Sequence, residues 1–301
     1  MAITASMVKE LRELTGAGMM DCKKALTETN GDMDAAVEVL KKSGAAKAEK
    51  KAARIAAEGI AKVAIDGNTA VVVEVNSETD FVAKNAIFQE FVQAVADKAL
   101  TVDTEKAGDG EDVVSILDMK ADLDDKILKI GEKISIRRFE KVTADVVASY
   151  IHGGGRIGVL VAGNGASDDA AKEALTNIAM QIAAANPSYL NREAVPAEAI
   201  ENEKKIIIAQ MANDPKAANK PDAIKEKMAT GRLGKFYKEN CLVDQAFIKD
   251  GNMDVNAYVN ATAKKLGGDI KIVEYTHFIK GEGLEKRVDD FAAEVAAAVK
   301  G

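Results

Sequence analysis

The chain is poor in the residues that most enzyme sites and metal centres are built from. Its 301 residues include two cysteines, two histidines and only 4% aromatics. Cys22 and Cys241 are too few for a disulfide framework or a structural zinc site, and both are expected to act as small buried hydrophobes. His152 and His277 lack the acidic spacing of a metal motif, and no nucleophile lies near either in sequence. His277 reads as the end of a strand and His152 as a surface residue beside a glycine turn. No apolar run approaches membrane-spanning length, and the N-terminus has no signal-peptide pattern, so a cytoplasmic location is expected. Positive charge is also short. A formal charge of −7 argues against a nucleic-acid binder that works by phosphate neutralisation. The basic stretch from Lys41 to Arg54 reads as a solvated helix face. No phosphate loop ending in Gly-Lys-Ser/Thr occurs. Together these absences disfavour an enzyme, and no cofactor, metal or small-molecule substrate is expected.

What is present is an ordinary globular balance, 47% hydrophobic and 30% charged, with length enough for two or three cores. The most informative stretch is Asn76-Ser-Glu-Thr-Asp-Phe-Val-Ala-Lys-Asn85. It follows the β-branched run Ala70-Val71-Val72-Val73 and leads into a helical pattern through Ile87, Phe88, Phe91 and Val92. Thr79 is placed to cap that helix, and Asp80 sits at the positive end of its dipole. Neither argument explains Phe81, an aromatic ring in a polar turn. It is either a staple on its own helix or an exposed anchor for a partner's pocket.

An internal repeat bears on that choice. At an offset of 88, Gly67 meets Gly155, Val71 meets Val159, Val73 meets Val161 and Asn76 meets Asn164. The same offset pairs Asp80 with Asp168, Ala83 with Ala171, Lys84 with Lys172 and Gln93 with Gln181. Phe81 then faces Asp169, so the scaffold tolerates a charge there and the anchor reading is favoured. Later, Gly131 and Ile134 match Gly267 and Ile270 at an offset of 136, which implies 48 extra residues in the second copy.

The pattern predicts an α+β fold. Residues 4 to 44 read as three helices. Met7, Val8, Leu11 and Leu14 face inward on the first, and Cys22, Ala25 and Leu26 on the second. Ala36, Val37 and Leu40 do so on the third, which Ser43-Gly44 ends. Ala45 to Ala57 reads as a partly helical linker. A hairpin around Gly67-Asn68 follows, then helices over 79–100 and 112–129 and a strand over 133–139. The second copy has a hairpin around Gly153-Gly154-Gly155, helices over 168–185 and 255–266, and a strand over 270–275. Its extra residues hold two amphipathic helices. Ile200, Ile207 and Met211 mark the first, and Ile224, Met228 and Phe236 the second, predicting an antiparallel hairpin. Arg287 to Lys300 reads as a final helix.

Gly153 to Gly158 fits the dinucleotide pattern G-x-G-x-x-G, but that chemistry needs a helix after the glycines, and the next residues are strand-like. From these residues three readings stand: a protein-interaction factor, a general adaptor built on the N-terminal helices, and a dinucleotide oxidoreductase using the glycine run.

Several long segments resemble one family. Ile3 through Leu26 is similar to the start of bacterial translation elongation factor Ts. Thr79-Asp80-Phe81-Val82, His152-Gly-Gly-Gly-Arg-Ile-Gly-Val159 and Phe291-Ala-Ala-Glu-Val295 resemble its further motifs, in the same order. The resemblance implies a guanine-nucleotide exchange factor for the GTPase elongation factor Tu, with no direct contact to nucleic acid or membrane. It implies a ubiquitin-associated-like module with linker over 1–54 and core halves over 55–140 and 141–280. It also implies a coiled-coil hairpin at about 190–238 and a C-terminal helix over 281–301. Asp80 and Phe81 would be the intruding pair, the ring wedging between helices of the GTPase domain and displacing them and the magnesium site, with Thr79 and Val82 as further partner-binding residues. Arg12, Met19 and Met20 would form the N-terminal contact, and His152, Phe247 and Ile248 would touch another part of Tu.

Overall fold

The computed structural model describes residues 2–108, 111–211, 217 and 219–286. The final helix expected over 287–300 lies outside the described residues. Three helices open the chain: α1 (Ala5–Thr15), α2 (Met19–Glu28) and α3 (Met33–Lys51). Thr4 and Asp32 cap the first and third through their side-chain oxygens, as short polar residues before apolar stripes should. Val8, Leu11, Cys22, Ala25, Leu26, Ala36 and Leu40 form a separate core, which Leu128 joins from a later helix. Leu14, expected inward, is 68% exposed on the last turn of α1.

The first sheet and its helices follow, with β1 (Glu58–Asp66), β2 (Thr69–Ser77), α4 (Asp80–Ala83), α5 (Ala86–Thr101) and β3 (Lys106–Ala107). Then come α6 (Val113–Ile116), α7 (Lys120–Ile130) and β4 (Ile134–Thr143). The second half contains β5 (Val146–His152), β6 (Ile157–Gly165), α8 (Asp169–Ala185), α9 (Ala197–Met211) and α10 (Asp222–Asn240). It ends with the ribbon β7 (Ala246–Phe247) and β8 (Asp250–Asp254), α11 (Val255–Leu266) and β9 (Ile270–Ile279).

Strand order is β1-β2-β4-β3 in one sheet and β5-β6-β9 in the other, with antiparallel pairing throughout. Side chains alternate across the pleat, and both faces are buried. Val71, Val73 and Val75 pack under α5 and α7, while Ala70 and Val72 meet Leu160, Ala162 and Phe278 of the other sheet. Val159 and Val161 in turn pack under α8 and α11. The result is four layers: helices, sheet, sheet, helices. Small residues let the sheets approach. A Cβ on Gly158 would lie 3.0 Å from both Ala61 Cβ and Val72 Cγ2. The Gly153–Gly155 run turns the β5–β6 hairpin at positive φ, and Gly155 O accepts Ala61 N across the sheets at 2.7 Å. These glycines therefore serve a hairpin and a sheet contact, with a strand after them and no helix whose amides could meet a pyrophosphate.

Several expected boundaries move. Gly44 does not end α3, which continues to Lys51. It is buried against α7, where a Cβ would sit 3.1 Å from Asp124 O, so the glycine lets two helices cross closely. The expected 79–100 helix breaks at Lys84–Asn85, where the Asn85 side chain caps α5 at Ile87 N, 2.8 Å away. The 112–129 helix breaks at Asp118–Met119, where Asp118 has φ 51°. On α10 the buried seam is Ala229 and Leu233 with Tyr237 beside them. Of the expected seam, Met228 packs beside these residues half-buried, while Ile224 points outward. His277 lies within β9, since that strand extends to Ile279.

The repeat is real, with two offsets. Strands β2 and β6 correspond at 88, but the caps Asn85 and Asp168 stand 83 apart. Phe88, Phe91, Val92, Val95, Ala96 and Ala99 of α5 match Ala171, Ala174, Leu175, Ile178, Ala179 and Ile182 of α8 at the same 83. The first half thus has five residues more between strand and helix. Phe81 faces no Asp169 equivalent; it belongs to an insertion. The excess in the second half after α8 is correspondingly 53 residues, not 48.

Candidate functional site

The insertion builds a projecting turn. Ser77 Oγ donates to Thr79 O at 3.0 Å as the chain leaves β2. Thr79 caps α4, its hydroxyl accepting from Val82 N at 3.5 Å. Val82 and Ala83 are buried in the core beneath α5, which roots the turn. Phe81 points the other way and is 79% exposed. Leaving such a ring in water forgoes roughly 1.5–3 kcal/mol of burial. The Lys84 ammonium, 5.9 Å from the ring centroid, offsets about 1 kcal/mol at most. The staple reading therefore fails for the isolated chain. Lys84 also pairs with Asp80 at 2.8 Å, and its hydrogen bond holds the exposed Asp80 carboxyl below the usual carboxylate range.

Two carboxylates outside α4 hold the turn. Glu132 accepts from Thr79 N at 3.0 Å and Thr79 Oγ1 at 2.8 Å. Glu78 accepts from Lys133 N at 2.5 Å and from Arg54 Nη1 at 3.1 Å. Sequence reasoning missed both, because the backbone amides they hold lie more than fifty residues away and carry no motif.

The other expected residues fall on separate segments. Met19 and Met20 lie exposed at the start of α2, Met20 to 75%. Arg12 stands in the last turn of α1, whose Gly16 amide bonds the Arg12 carbonyl. Leu14, also exposed, lies instead on a cleft that α3 and α7 line. His152 is exposed at the end of β5, with Nδ1 3.1 Å from Tyr150 Oη. Two expectations need correction. The Phe247 ring is buried and stacks on Tyr258 at 4.1 Å, and Val82 is buried beneath α5. Both side chains are covered within this chain, and each anchors an exposed neighbour. For Phe247 that neighbour is Ile248, 48% exposed. Its amide is held by buried Gln181, whose Oε1 accepts at 2.8 Å while Nε2 donates to Gln245 and Ala246.

The arrangement has the features of a docking surface: single large apolar side chains on rigid, cross-braced turns. A family profile described as Elongation factor TS matches residues 78–282, more than half of the chain and inclusive of the Phe81 turn.

Proposed function

Since the chain belongs to the elongation factor Ts family, whose members exchange nucleotide on elongation factor Tu during translation elongation, we propose that it does so by inserting the Phe81 turn into the GTPase domain. The observation that carries this reading is the exposed ring on a turn rooted by Val82 and braced by Glu132. A GTPase grips its nucleotide through phosphate contacts and a bridging magnesium ion. A partner that displaces the helices behind those contacts weakens the grip without touching the nucleotide, and needs no catalytic residue of its own. It must only bind the distorted, empty state better than the loaded one. By linkage, the factor weakens GDP by the ratio by which GDP weakens the factor.

In this reading Asp80 and Phe81 intrude, with Thr79 and Val82 shaping the turn from within. Arg12, Met19 and Met20 dock a ubiquitin-associated-like module spanning residues 1–54. His152 and Ile248 on the second core half, 141–280, touch a further part of Tu, and Phe247 supports Ile248. The first core half spans 55–140, and α9 and α10 form a coiled-coil hairpin. No cofactor takes part.

The test is fluorescent-GDP release from Tu in stopped flow. Phe81→Ala should fold as the parent does, because the ring supports nothing in its own chain. It should slow release roughly 30-fold, as loss of an anchor worth about 2 kcal/mol implies. Release at the parent rate would refute the intruding role.

A further inference from the structure

Four helical residues cannot maintain their own shape, since one turn of helix fixes many dihedrals for few hydrogen bonds. The direction in which Phe81 leaves the surface must therefore be set from outside α4. Outside support comes from two chain segments that clasp each other. Glu132 takes the amide of Thr79 at 3.0 Å, and Glu78 takes the amide of Lys133 at 2.5 Å. Each segment lends a carboxylate to the other's backbone. The bonds are charge-assisted, and Glu132 also accepts the Thr79 hydroxyl proton at 2.8 Å. That contact points a hydroxyl lone pair toward Val82 N, so the cap of α4 is oriented by Glu132 as well.

Behind the clasp lies the rest of the frame. Glu132 follows Gly131, which terminates α7 and whose carbonyl accepts Lys51 Nζ from the end of α3. Lys133 Nζ donates to the carbonyls of Ala52 and Arg54 just beyond. The turn is thus referenced both to the sheet and to the N-terminal helices.

We propose that Glu132 is a positioning residue for exchange. It acts through Thr79 to aim the Phe81 ring and does not itself touch the partner. The inference rests on the reading of Phe81 as the intruding side chain and deepens it.

The experiment is a double-mutant cycle read by GDP release from Tu, with melting temperature recorded alongside. Glu132→Ala should slow release about tenfold, and Glu132→Gln should recover most of that, since its amide oxygen still accepts from Thr79 N. In a Phe81→Ala background, Glu132→Ala should add nothing, because there is no ring left to aim. A merely stabilising carboxylate would instead multiply its effect onto the Phe81→Ala rate. That result, or an unchanged rate for Glu132→Ala alone, overturns the assignment. If Phe81→Ala releases GDP at the parent rate, the reading of Phe81 falls and takes this inference with it. If Phe81→Ala is slow and the effects multiply, only Glu132 loses its role. Should Glu132→Ala not fold, Thr79→Val removes the same hydroxyl contact while keeping the branched shape, and the same absence of a further effect on Phe81→Ala is expected.

Discussion

Glu74 is a carboxylate with no solvent access, set in the middle of β2 among valines. Arg138 Nε donates to it at 2.7 Å, Arg137 Nη1 at 3.2 Å and Gly281 N at 2.7 Å. Removing one member of such a network strands the rest. Glu74→Ala should cost about 3–5 kcal/mol, read from urea unfolding; a loss under about 1 kcal/mol would mean the arginines find other acceptors at little cost. His277 offers a second test. Its Nε2 is buried without a hydrogen-bond partner among the described residues. Burial, opposed by Glu282 and reinforced by Arg138, pushes its pKa below the ordinary value of 6.5. The folded protein binds that proton less readily than the unfolded chain. Stability from this group is therefore full above pH 6.5 and declines as pH falls toward the lowered value. His277→Leu should lose less melting temperature than the parent between pH 7.5 and 5.5, and parallel curves would show that burial of this ring has no effect.

At the scale of elements, α9 and α10 have their own core of Ile207, Met211, Ala217, Ala229 and Leu233. The chain leaves and returns at one place, where Tyr189 bridges Cys241 and Leu242 N bonds Tyr189 O at 2.8 Å. Excising residues 191–239 for a short Gly-Ser linker should leave the two-sheet core folded, with a melting temperature within a few degrees of the parent. Loss of the cooperative transition in circular dichroism would show that the pair supports the body. Periodicity revealed this pair and most strands, because apolar spacing records which face is buried. It did not reveal the breaks at Lys84 and Asp118, since the apolar stripe runs on through both and only local capping interrupts it. Gly44 was misread for a related reason. A glycine that ends a helix and one that lets another helix near look alike until the neighbour is in view.

For the whole molecule, the repeat was visible in the strands, where paired glycines and valines keep one offset. The change of offset in the helices was not, because chance identities such as Gln93 with Gln181 carried the strand register onward. Phe81 was conspicuous as a ring in a polar turn, whereas the clasp that aims it joins residues far apart in sequence. Among the described residues no helix is long and apolar enough to cross a membrane.

Both sheets carry a bulge at the same point of the closing strand. Arg137 is skipped in the pairing of β4 with β2, and Val273 in the pairing of β9 with β6. A bulge sharpens twist, so the two sheets curve alike and nest. What distinguishes the halves was spliced in elsewhere, at a strand-to-helix crossing in one and beyond a helix in the other. The nested sheets thus act as a chassis whose curvature is indifferent to its fittings. A graft of the seven residues 78–84 between Gly165 and Asp168 should leave the strands of the sister half in place but yield an unaimed prong, because Gly268 stands there where the first half has Glu132.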